Sequence, residues 1–480
     1  LRELEHQVDQ YMEYAMRYQD VLKTSSDLEE HIRVIFGYEE ELSLLSGDEA
    51  ENNAKRADIA QKVAAQAAKV CNDPDLNAAF CKIAELRREV GLKCGMTKEM
   101  DALSAIPQKI ADLIRSRGYT SGKQHYIQTL AQGLALFAMA FYGKPIVYRT
   151  TDFKSNEYRN LLGGNLIEHR EANPMLGYRG VSRQIHDWEL EAFKKARGEY
   201  GGKNLQLMLP FVRTLEEARA MRRYIETVHN LKSGEDGLKI IQMSEIPSNA
   251  ILARQFIQEF DGFSIGSNDM TQMVLATDRD NATLGHIYDE EDPAVVWALL
   301  TTIFTGQKYG KKVGFCGQGV SNSLILRGLV AIAGIVSASV VPDTYYRTKF
   351  DVAKVESEGI DASGLGKWLA EQHLARLTAL MANNGYAAQA KGKNGRQLHD
   401  WYEAESIRLH EELAKSRGTA KEGKARDEMM KFRAMFHKPA IYASTPWDEI
   451  VVDALHQAGF ANFAEQAEAL KKQRSMNLSV

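Results

Sequence analysis

Two acidic side chains follow short apolar runs, at the points where predicted strands end. Glu245 lies in "IQMSEIPSNA" and Asp269 lies in "SIGSNDMTQ". Carboxylates at the ends of neighbouring strands offer the hard oxygen ligands that Mg²⁺ prefers, with positions left for water and substrate oxygens. The spacing alone also fits two acids that cap or charge the first turn of a helix. Their position at successive strand ends favours a metal site.

Three arginines have the chemistry of an anion clamp. Arg149 follows the apolar run of "PIVYRT", Arg179 lies in "NPMLGYRGVSR" and Arg279 lies in "LATDRDN". Guanidinium groups grip phosphate and carboxylate through two parallel hydrogen bonds, so three of them beside one metal would form an anionic pocket. Taken singly, each is more typical of a surface or ion-pair arginine.

A thiol stands between glycines in "VGFCGQG", at Cys316. The small neighbours allow backbone or ligand to come close to it. A thiol donates or accepts a proton when its surroundings adjust its pKa, although a buried packing residue is the more ordinary interpretation of a single cysteine. Cys71, Cys81 and Cys94 fall in a helical stretch and are assigned to packing.

The elements that would position these residues alternate between short apolar runs and helical patterns from Lys144 to Val355. Such alternation predicts a parallel sheet built from βα units. Because the runs are nearly all apolar, both faces of the sheet should be buried, as in a closed barrel ringed by helices. The predicted strands are "PIVYRT", "LQLMLPFV", "LKIIQMSE", "GFSIGS", "KVGFCG" and "IVSASVVP".

The fold class predicted is α/β, a TIM-type (β/α)₈ barrel with helical extensions at both ends, since reactive residues at the carboxyl ends of strands mark the active site of such barrels. A doubly wound sheet would use the same edge, but no G-x-G-x-x-G follows the first strand. The domains expected are a helical N-terminal extension (1–105), the barrel (106–355) and a helical C-terminal extension (356–480). In the last, Thr445 fits an N-cap, Pro446 the first helical position and Gly459 a helix stop.

Composition limits the function classes. The 480 residues are 44% hydrophobic, and 60 Lys and Arg against 64 Asp and Glu give a net charge of −4, which excludes a global basic field for nucleic acid. Four cysteines without C-x-x-C spacing predict a reducing cytoplasm and no structural zinc. The apolar runs are too short for a membrane span, and no signal pattern, P-loop or nucleophile elbow occurs. Because it begins at Leu1, the chain is expected to start inside a longer gene product.

Six segments in order resemble the C-terminal barrel of the phosphoenolpyruvate synthases (pyruvate, water dikinases), within the phosphoenolpyruvate-utilising enzyme family. The likeness extends over about residues 108 to 350. The segments are "RTTDFKSNEYRNLLGG", "NPMLGYRGVSR", "LMLPFVRTLEEA", "SEIPSNAILA", "FDGFSIGSNDMTQMVLATDRD" and "KKVGFCGQ".

This resemblance implies a phosphotransferase of gluconeogenesis, in which a phosphohistidine on a mobile domain passes its phosphoryl group to pyruvate enolate in the barrel. It also assigns roles by motif, with residues 152–158 shaping the loop above Arg149. Glu245 and Asp269 would hold Mg²⁺, and Arg149, Arg179 and Arg279 would bind the carboxylate and phosphoryl oxygens. Substrate binding is also assigned to Ser267, Asn268, Glu245 and Asp269. Catalysis is assigned to Cys316, whose thiol would move the methyl proton, together with Arg149 and Arg179.

The chain departs from the family pattern in two ways. It contains neither the ATP-grasp half nor a G-G-x-T-[SC]-H phosphohistidine loop, so the resemblance implies that both are supplied by other segments or subunits, and it implies a homodimer. The family's Gly-Leu-x-Arg-x-Glu strand has its nearest counterpart in "EVGLKCGMTKEMD", where Lys93 and Cys94 occur and no arginine does.

Two alternatives stay open at this point. A related phosphotransferase could act on another acceptor such as a phenol, which would agree with the missing arginine but would not need the thiol. A non-catalytic scaffold or metabolite sensor could keep the barrel without its chemistry, since a fold does not establish activity. Retention of Cys316 favours pyruvate over a phenol, and retention of Glu245, Asp269 and Cys316 together argues against a scaffold or sensor.

Overall fold

The computed structural model describes residues 114–161, 168–182, 187–279, 281 and 283–478, with single positions between 55 and 78. The chain divides into two compact units. The first comprises Leu1–Phe137, Phe153–Arg179 and Arg183–Gly202, and the second comprises Ala138–Asp152, Gly180–Ser182 and Lys203–Val480. The predicted N-terminal extension and the Lys93 and Cys94 segment lie outside the described residues, apart from those single positions.

The first unit contains helices and irregular connections where it is described, and no strand. Helix α1 (Gly122–Ala140) begins in this unit and ends in the second, α2 spans Ser155–Arg159 and α3 spans Asp187–Gly198. The apolar side chains of α3, such as Leu190 and Phe193, are fully buried. Burial of one apolar stripe is what stabilises such an amphipathic helix, because isolated helices of this length are marginal in water.

All six strands of the described sheet belong to the second unit, and each lies within a predicted run. Their order is β1-β2-β3-β4-β5-β6 and every neighbouring pair is parallel. The strands are β1 (Ile146–Arg149), β2 (Leu205–Leu209), β3 (Ile240–Ser244), β4 (Gly262–Ile265), β5 (Lys312–Phe315) and β6 (Ser337–Ala338).

Sequential parallel order distinguishes a barrel from a doubly wound sheet, in which the strand order reverses at a switch point. The register brings the carboxyl ends of neighbouring strands level, with Ser244 opposite Ile265 and Ile265 opposite Phe315. The predicted TIM-type α/β fold is therefore confirmed, and residues that directly follow these strands lie at one edge of the sheet.

The prediction that both sheet faces are buried is correct for the middle strands and wrong for the flanking ones. Strands β2 and β4 are buried at every position, whereas β1 alternates between exposed and half-buried residues and β6 is exposed. The reason is position, since β1 and β6 are the outer strands of the described sheet.

Helices connect and cover the strands of the second unit. Those within the barrel region are α4 (Leu215–Thr227), α5 (Pro247–Ile251), α6 (Ala253–Glu259), α7 (Ser267–Val274), α8 (Pro293–Lys308), α9 (Gly319–Asn322), α10 (Leu324–Ala333) and α11 (Tyr345–Ser357). The C-terminal helices are α12 (Leu365–Asn383), α13 (Ala387–Ala390), α14 (Gly395–Ser416), α15 (Glu422–Ser444), α16 (Trp447–Gln457) and α17 (Phe463–Leu478).

Helix α8 shows how the C-terminal helices join the barrel. Asp292 caps it by accepting a hydrogen bond from the Ala294 N–H at 2.9 Å, and Pro293 follows in the first turn. It packs against β4 and β5 on one side and against α16 and α17 on the other. A helix that is apolar nearly all round must be covered on all sides, and its burial explains why the sequence "AVVWALLTTIFT" carries no charge.

The C-terminal helices also have a core of their own. Tyr402 of α14 stacks on Phe432 of α15, with ring centroids 5.6 Å apart, and Phe436 and Leu398 are buried beside them. Aromatic stacking adds to the burial of large apolar surfaces and fixes how two long helices meet.

One capping prediction is wrong. Helix α16 begins at Trp447, so Pro446 rather than Thr445 occupies the N-cap. The Thr445 hydroxyl instead donates to the Ile441 carbonyl at 3.0 Å and completes the end of α15. The predicted stop at Gly459 is confirmed by its φ of 94°, which favours glycine.

The predicted domain boundaries at residues 105/106 and 355/356 stay predictions.

Among the helices within the described part of the chain, none has both the length and the apolar character needed to cross a membrane.

Candidate active site

Three carboxylates converge at the carboxyl edge of the sheet in the second unit. One oxygen each from Asp152, Glu245 and Asp269 lie within 4.8 Å of one another. Neighbouring ligand oxygens in an octahedral Mg²⁺ site are about 3 to 4 Å apart, so this cluster needs only a small contraction to hold the ion. Glu245 and Asp152 are buried, and a cation bound among the three carboxylates would offset their mutual repulsion. The residues therefore fit Mg²⁺.

The position of Glu245 is set by backbone groups around it. Its Oε1 accepts a hydrogen bond from the Phe211 N–H at 2.6 Å. The Asn249 Oδ1 accepts from the Glu245 N–H at 3.2 Å, while its amide donates to the Val212 carbonyl at 2.8 Å. A Cβ at Gly266 would lie 2.9 Å from Oε2 of Glu245, so only glycine leaves room for this carboxylate. These contacts hold the carboxylate before any metal binds.

Phe211 adopts a strained backbone conformation at this position. It is buried and has a φ of 51°, in the left-handed region that bulky residues rarely adopt. Gly180 packs against it so closely that a Cβ at Gly180 would lie 2.5 Å from the Cβ of Phe211. The strained turn aims the Phe211 N–H at Glu245, a contribution that the sequence does not reveal because no glycine marks the turn.

Asp269 lies in the first turn of α7, so it is both a helix-start acid and a member of the carboxylate cluster. Its neighbour Asn268 accepts a hydrogen bond on Oδ1 from the Gln318 N–H at 3.3 Å, which orients the amide. Ser267 is fully buried and its hydroxyl donates to Oε1 of Glu290. Direct contact between the Ser267 hydroxyl and substrate would require this bond to break, and that role stays a prediction.

Cys316 follows β5, beside the carboxylates. Its N–H donates to the Ile265 carbonyl at 2.9 Å, and its thiol donates to the same oxygen at 3.3 Å. Burial raises the pKa of Cys316 to about 11, with the Ser264 hydrogen bond and the Arg149 charge lowering it and the Glu245 charge raising it. The thiol is therefore protonated at neutral pH, as a proton donor to carbon requires.

The structure brings two of the three predicted arginines into the second unit. Arg149 ends β1, is exposed and acts electrostatically on Cys316. Arg279 is also exposed. Burial raises the pKa of Tyr288, and the Asp269 charge adds to this increase while the Arg279 charge opposes it. Arg179 belongs to the first unit, where it is buried and donates to the sulfur of Met175 at 3.1 Å. The anion-binding role of all three stays a prediction.

The sequence missed three residues of this site. Asp152 was assigned only to loop shaping, although its position three residues after Arg149 placed it at the right strand end. Glu290 lies in an acidic run that is typical of a solvated helix start, and Phe211 contributes through its backbone alone.

Comparison with known proteins identifies the barrel region. The family described as "PEP-utilising enzyme, PEP-binding domain" matches residues 89–357, more than half of the chain. The chain belongs to this family. Its match begins before the first described strand and ends with α11, so helices α12 to α17 lie beyond it.

Several curated relatives carry the name phosphoenolpyruvate synthase. The protein from Pseudomonas aeruginosa is 44% identical over 264 residues, which are 53% of this chain and 33% of that protein. The Escherichia coli protein is 44% identical over 247 residues (50% and 31%), and the Aquifex aeolicus protein is 41% identical over 272 residues (55% and 32%). The matched part of the chain spans about a third of the length of these relatives.

Proposed function

We propose that the chain supplies the pyruvate side of a phosphoryl transfer between a phosphohistidine and pyruvate, with phosphoenolpyruvate as the product, as in phosphoenolpyruvate synthase. The observation that carries the proposal is the placement of three facing carboxylates beside a protonated thiol. Pyruvate needs a cation site and a proton-transfer group, because its methyl proton is weakly acidic and must be moved while negative charge develops on oxygen.

The proposed site holds Mg²⁺ through Asp152, Glu245 and Asp269. When bound there, the ion would stabilise the charge that develops on the keto oxygen as the methyl proton leaves. In phosphoenolpyruvate formation the Cys316 thiol first releases its own proton to solvent. The resulting thiolate accepts the methyl proton, and the enolate oxygen takes the phosphoryl group from the histidine nitrogen. In the reverse direction the Cys316 thiol donates its proton to the methylene carbon. Because burial raises the pKa of Cys316, its thiolate is a strong base once formed.

The arginines and Asn268 would bind the anionic parts of the substrate. We assign the carboxylate and phosphoryl oxygens to Arg149, Arg179 and Arg279, since bidentate guanidinium contacts spread the charge of a transferring phosphoryl group. Asn268 would add a hydrogen bond from its amide. We also propose that separate phosphohistidine and ATP-grasp segments or subunits supply the phosphoryl group, that the protein works as a homodimer, and that it does so in the cytoplasm.

Calorimetric titration tests the metal and acceptor assignments together. Phosphoenolpyruvate, oxalate (an analogue of pyruvate enolate) and phenyl phosphate are titrated with and without Mg²⁺ into the wild-type chain and into Glu245→Gln. We expect Mg²⁺-dependent binding of the first two ligands that Glu245→Gln abolishes. Glu449→Gln, at an exposed glutamate of α16, is the matched control. Binding of phenyl phosphate alone would point to a phenolic acceptor, and binding of no ligand would favour a scaffold or sensor.

A further inference from the structure

The acidic segment Asp289–Asp292 has one residue that faces the active site. The Glu290 carboxylate accepts hydrogen bonds from the Ser267 hydroxyl and from the backbone N–H of Gly319. These partners belong to two different strand-to-helix connections. We call Ser267–Asp269, at the start of α7, the metal loop, because it carries Asp269. We call Cys316–Gly319, which leads from β5 into α9, the thiol loop, because it carries the proton-transfer residue.

The two loops pack too closely to be independent of this carboxylate. A Cβ at Gly317 would lie 1.8 Å from the Ser267 hydroxyl oxygen, and a Cβ at Gly319 would lie 2.9 Å from Glu290 Oε1. The loops also share the hydrogen bond from the Gln318 N–H to Asn268 Oδ1. Two glycines thus allow the thiol loop to approach both the metal loop and Glu290, a close approach that any side chain would prevent.

Two other acids of the segment, Glu291 and Asp289, are bonded by the C-terminal helices. Arg376 of α12 donates to Glu291 Oε2 at 2.7 Å, and Ser323 donates to Glu291 Oε1 at 2.7 Å. Lys438 of α15 donates to Asp289 Oδ2 at 3.1 Å. Both basic residues lie beyond the residues that the family model matches, so this anchoring comes from the C-terminal helices of this chain.

We propose that Glu290 is a positioning residue that joins the metal loop to the thiol loop, and that Arg376 and Lys438 keep its segment in place. The role rests on the proposed function, because what it aligns is the metal-facing carboxylate of Asp269 and the thiol of Cys316. Glu290 acts through oxygen acceptance rather than through charge: its two partners are a hydroxyl and an amide, and a neutral amide oxygen can accept from both. Substitution of a residue that orients metal ligands without touching the metal typically lowers metal affinity or activity by about 10 to 100-fold.

Hydrogen exchange tests the joining of the loops without any ligand. We compare the exchange of peptides that contain residues 266–270 and 316–320 in wild type, Glu290→Ala and Glu290→Gln. Glu290→Ala should speed exchange in both peptides, whereas Glu290→Gln should not, because it keeps the accepting oxygen. Unchanged exchange in Glu290→Ala would overturn the proposal. If Glu290→Ala does not fold, Ser267→Ala removes the same bond from the other side and should speed exchange in both peptides, and unchanged exchange there would overturn the proposal equally.

Affinity and turnover then separate positioning from general destabilisation. With Glu290→Ala we expect the Mg²⁺-dependent affinity for oxalate to fall about tenfold. The rate at which pyruvate methyl protons exchange with deuterium oxide should fall about 100-fold. The second effect is larger because proton transfer requires both loops to be aligned, whereas the metal requires only the metal loop. Glu290→Gln should restore both, and a Glu290→Gln variant as impaired as Glu290→Ala would contradict the positioning role.

The anchor has its own variant. Arg376→Gln should speed exchange in both peptides less than Glu290→Ala does, with Arg396→Gln, at an exposed arginine of α14, as the control. No effect of Arg376→Gln would remove the C-terminal helices from the proposal. Absence of oxalate binding in the wild type would refute the proposed function while the hydrogen-exchange result still decides whether Glu290 joins the loops.

Discussion

The barrel strands and the C-terminal helices contribute to this protein in different ways. The strands place Glu245, Asp269 and Cys316 at one edge of a parallel sheet, and these are the residues to which we assign the chemistry. Helices α12 to α15 share an aromatic core, and no member of the carboxylate cluster lies in helices α12 to α17. They contact the barrel region through packing against the apolar helix α8 and through polar groups, such as the Trp297 indole that donates to Asp453 at 2.7 Å. The difference indicates that the candidate site is built from strand ends, while the C-terminal helices support the segments between strands.

The largest expected effect falls on the barrel side, at the carboxylate that the sequence did not assign to the metal. Asp152→Asn should weaken Mg²⁺-dependent oxalate binding by about 100-fold, because it removes one of three negative ligands from a buried cluster. Calorimetry measures this loss, with Asp427→Asn at an exposed aspartate of α15 as the control. An unchanged affinity would show that Asp152 does not face the metal.

The next effect belongs to the C-terminal helices. His373 of α12 is buried, stacks on Trp447 with centroids 4.9 Å apart, and burial, assisted by the Arg376 charge, lowers its pKa to about 4. The unfolded chain takes up this proton near pH 6.5 and the folded protein only near pH 4. The stability that neutral His373 contributes is therefore fully present above pH 6.5 and is lost as the pH falls towards 4.

At pH 5 this loss amounts to about 2 kcal/mol. Urea unfolding at pH 7.5 and pH 5, followed by tryptophan fluorescence, should show that His373→Gln loses less stability on acidification than wild type by this amount. His456→Gln, at an exposed histidine of α16, is the comparison. If the free energy of unfolding falls by the same amount in wild type and in His373→Gln between pH 7.5 and pH 5, His373 does not cause the loss of stability.

A smaller effect returns to the barrel and tests the strained turn. Gly180→Ala should displace Phe211 and weaken its hydrogen bond to Glu245, with about a tenfold loss of Mg²⁺-dependent oxalate affinity. Gly234→Ala has a similar positive φ but open space around the new methyl group, so it separates backbone strain from the contact with Phe211. Equal losses in the two variants would remove the contact from the explanation.

The sequence predicted the parts of this molecule that depend on local pattern. Apolar runs gave all six described strands, and the rule that reactive residues follow strands placed Glu245, Asp269 and Cys316 together. It could not predict that Glu290 turns toward Ser267 while Glu291 turns toward Arg376, because neighbouring acids in one loop look alike until the surrounding elements are in place. The C-terminal region showed only helical periodicity, which contains no information about its barrel contacts.

The most direct test of the central claim is the exchange of pyruvate methyl protons with deuterium oxide, followed by proton NMR with Mg²⁺ present. The claim is that the carboxylates and the thiol at the strand ends form one site for the enolate. Wild type should exchange these protons, and Cys316→Ala should exchange them at least about 100-fold more slowly while it still binds oxalate with Mg²⁺. Exchange by Cys316→Ala at the wild-type rate would contradict the claim.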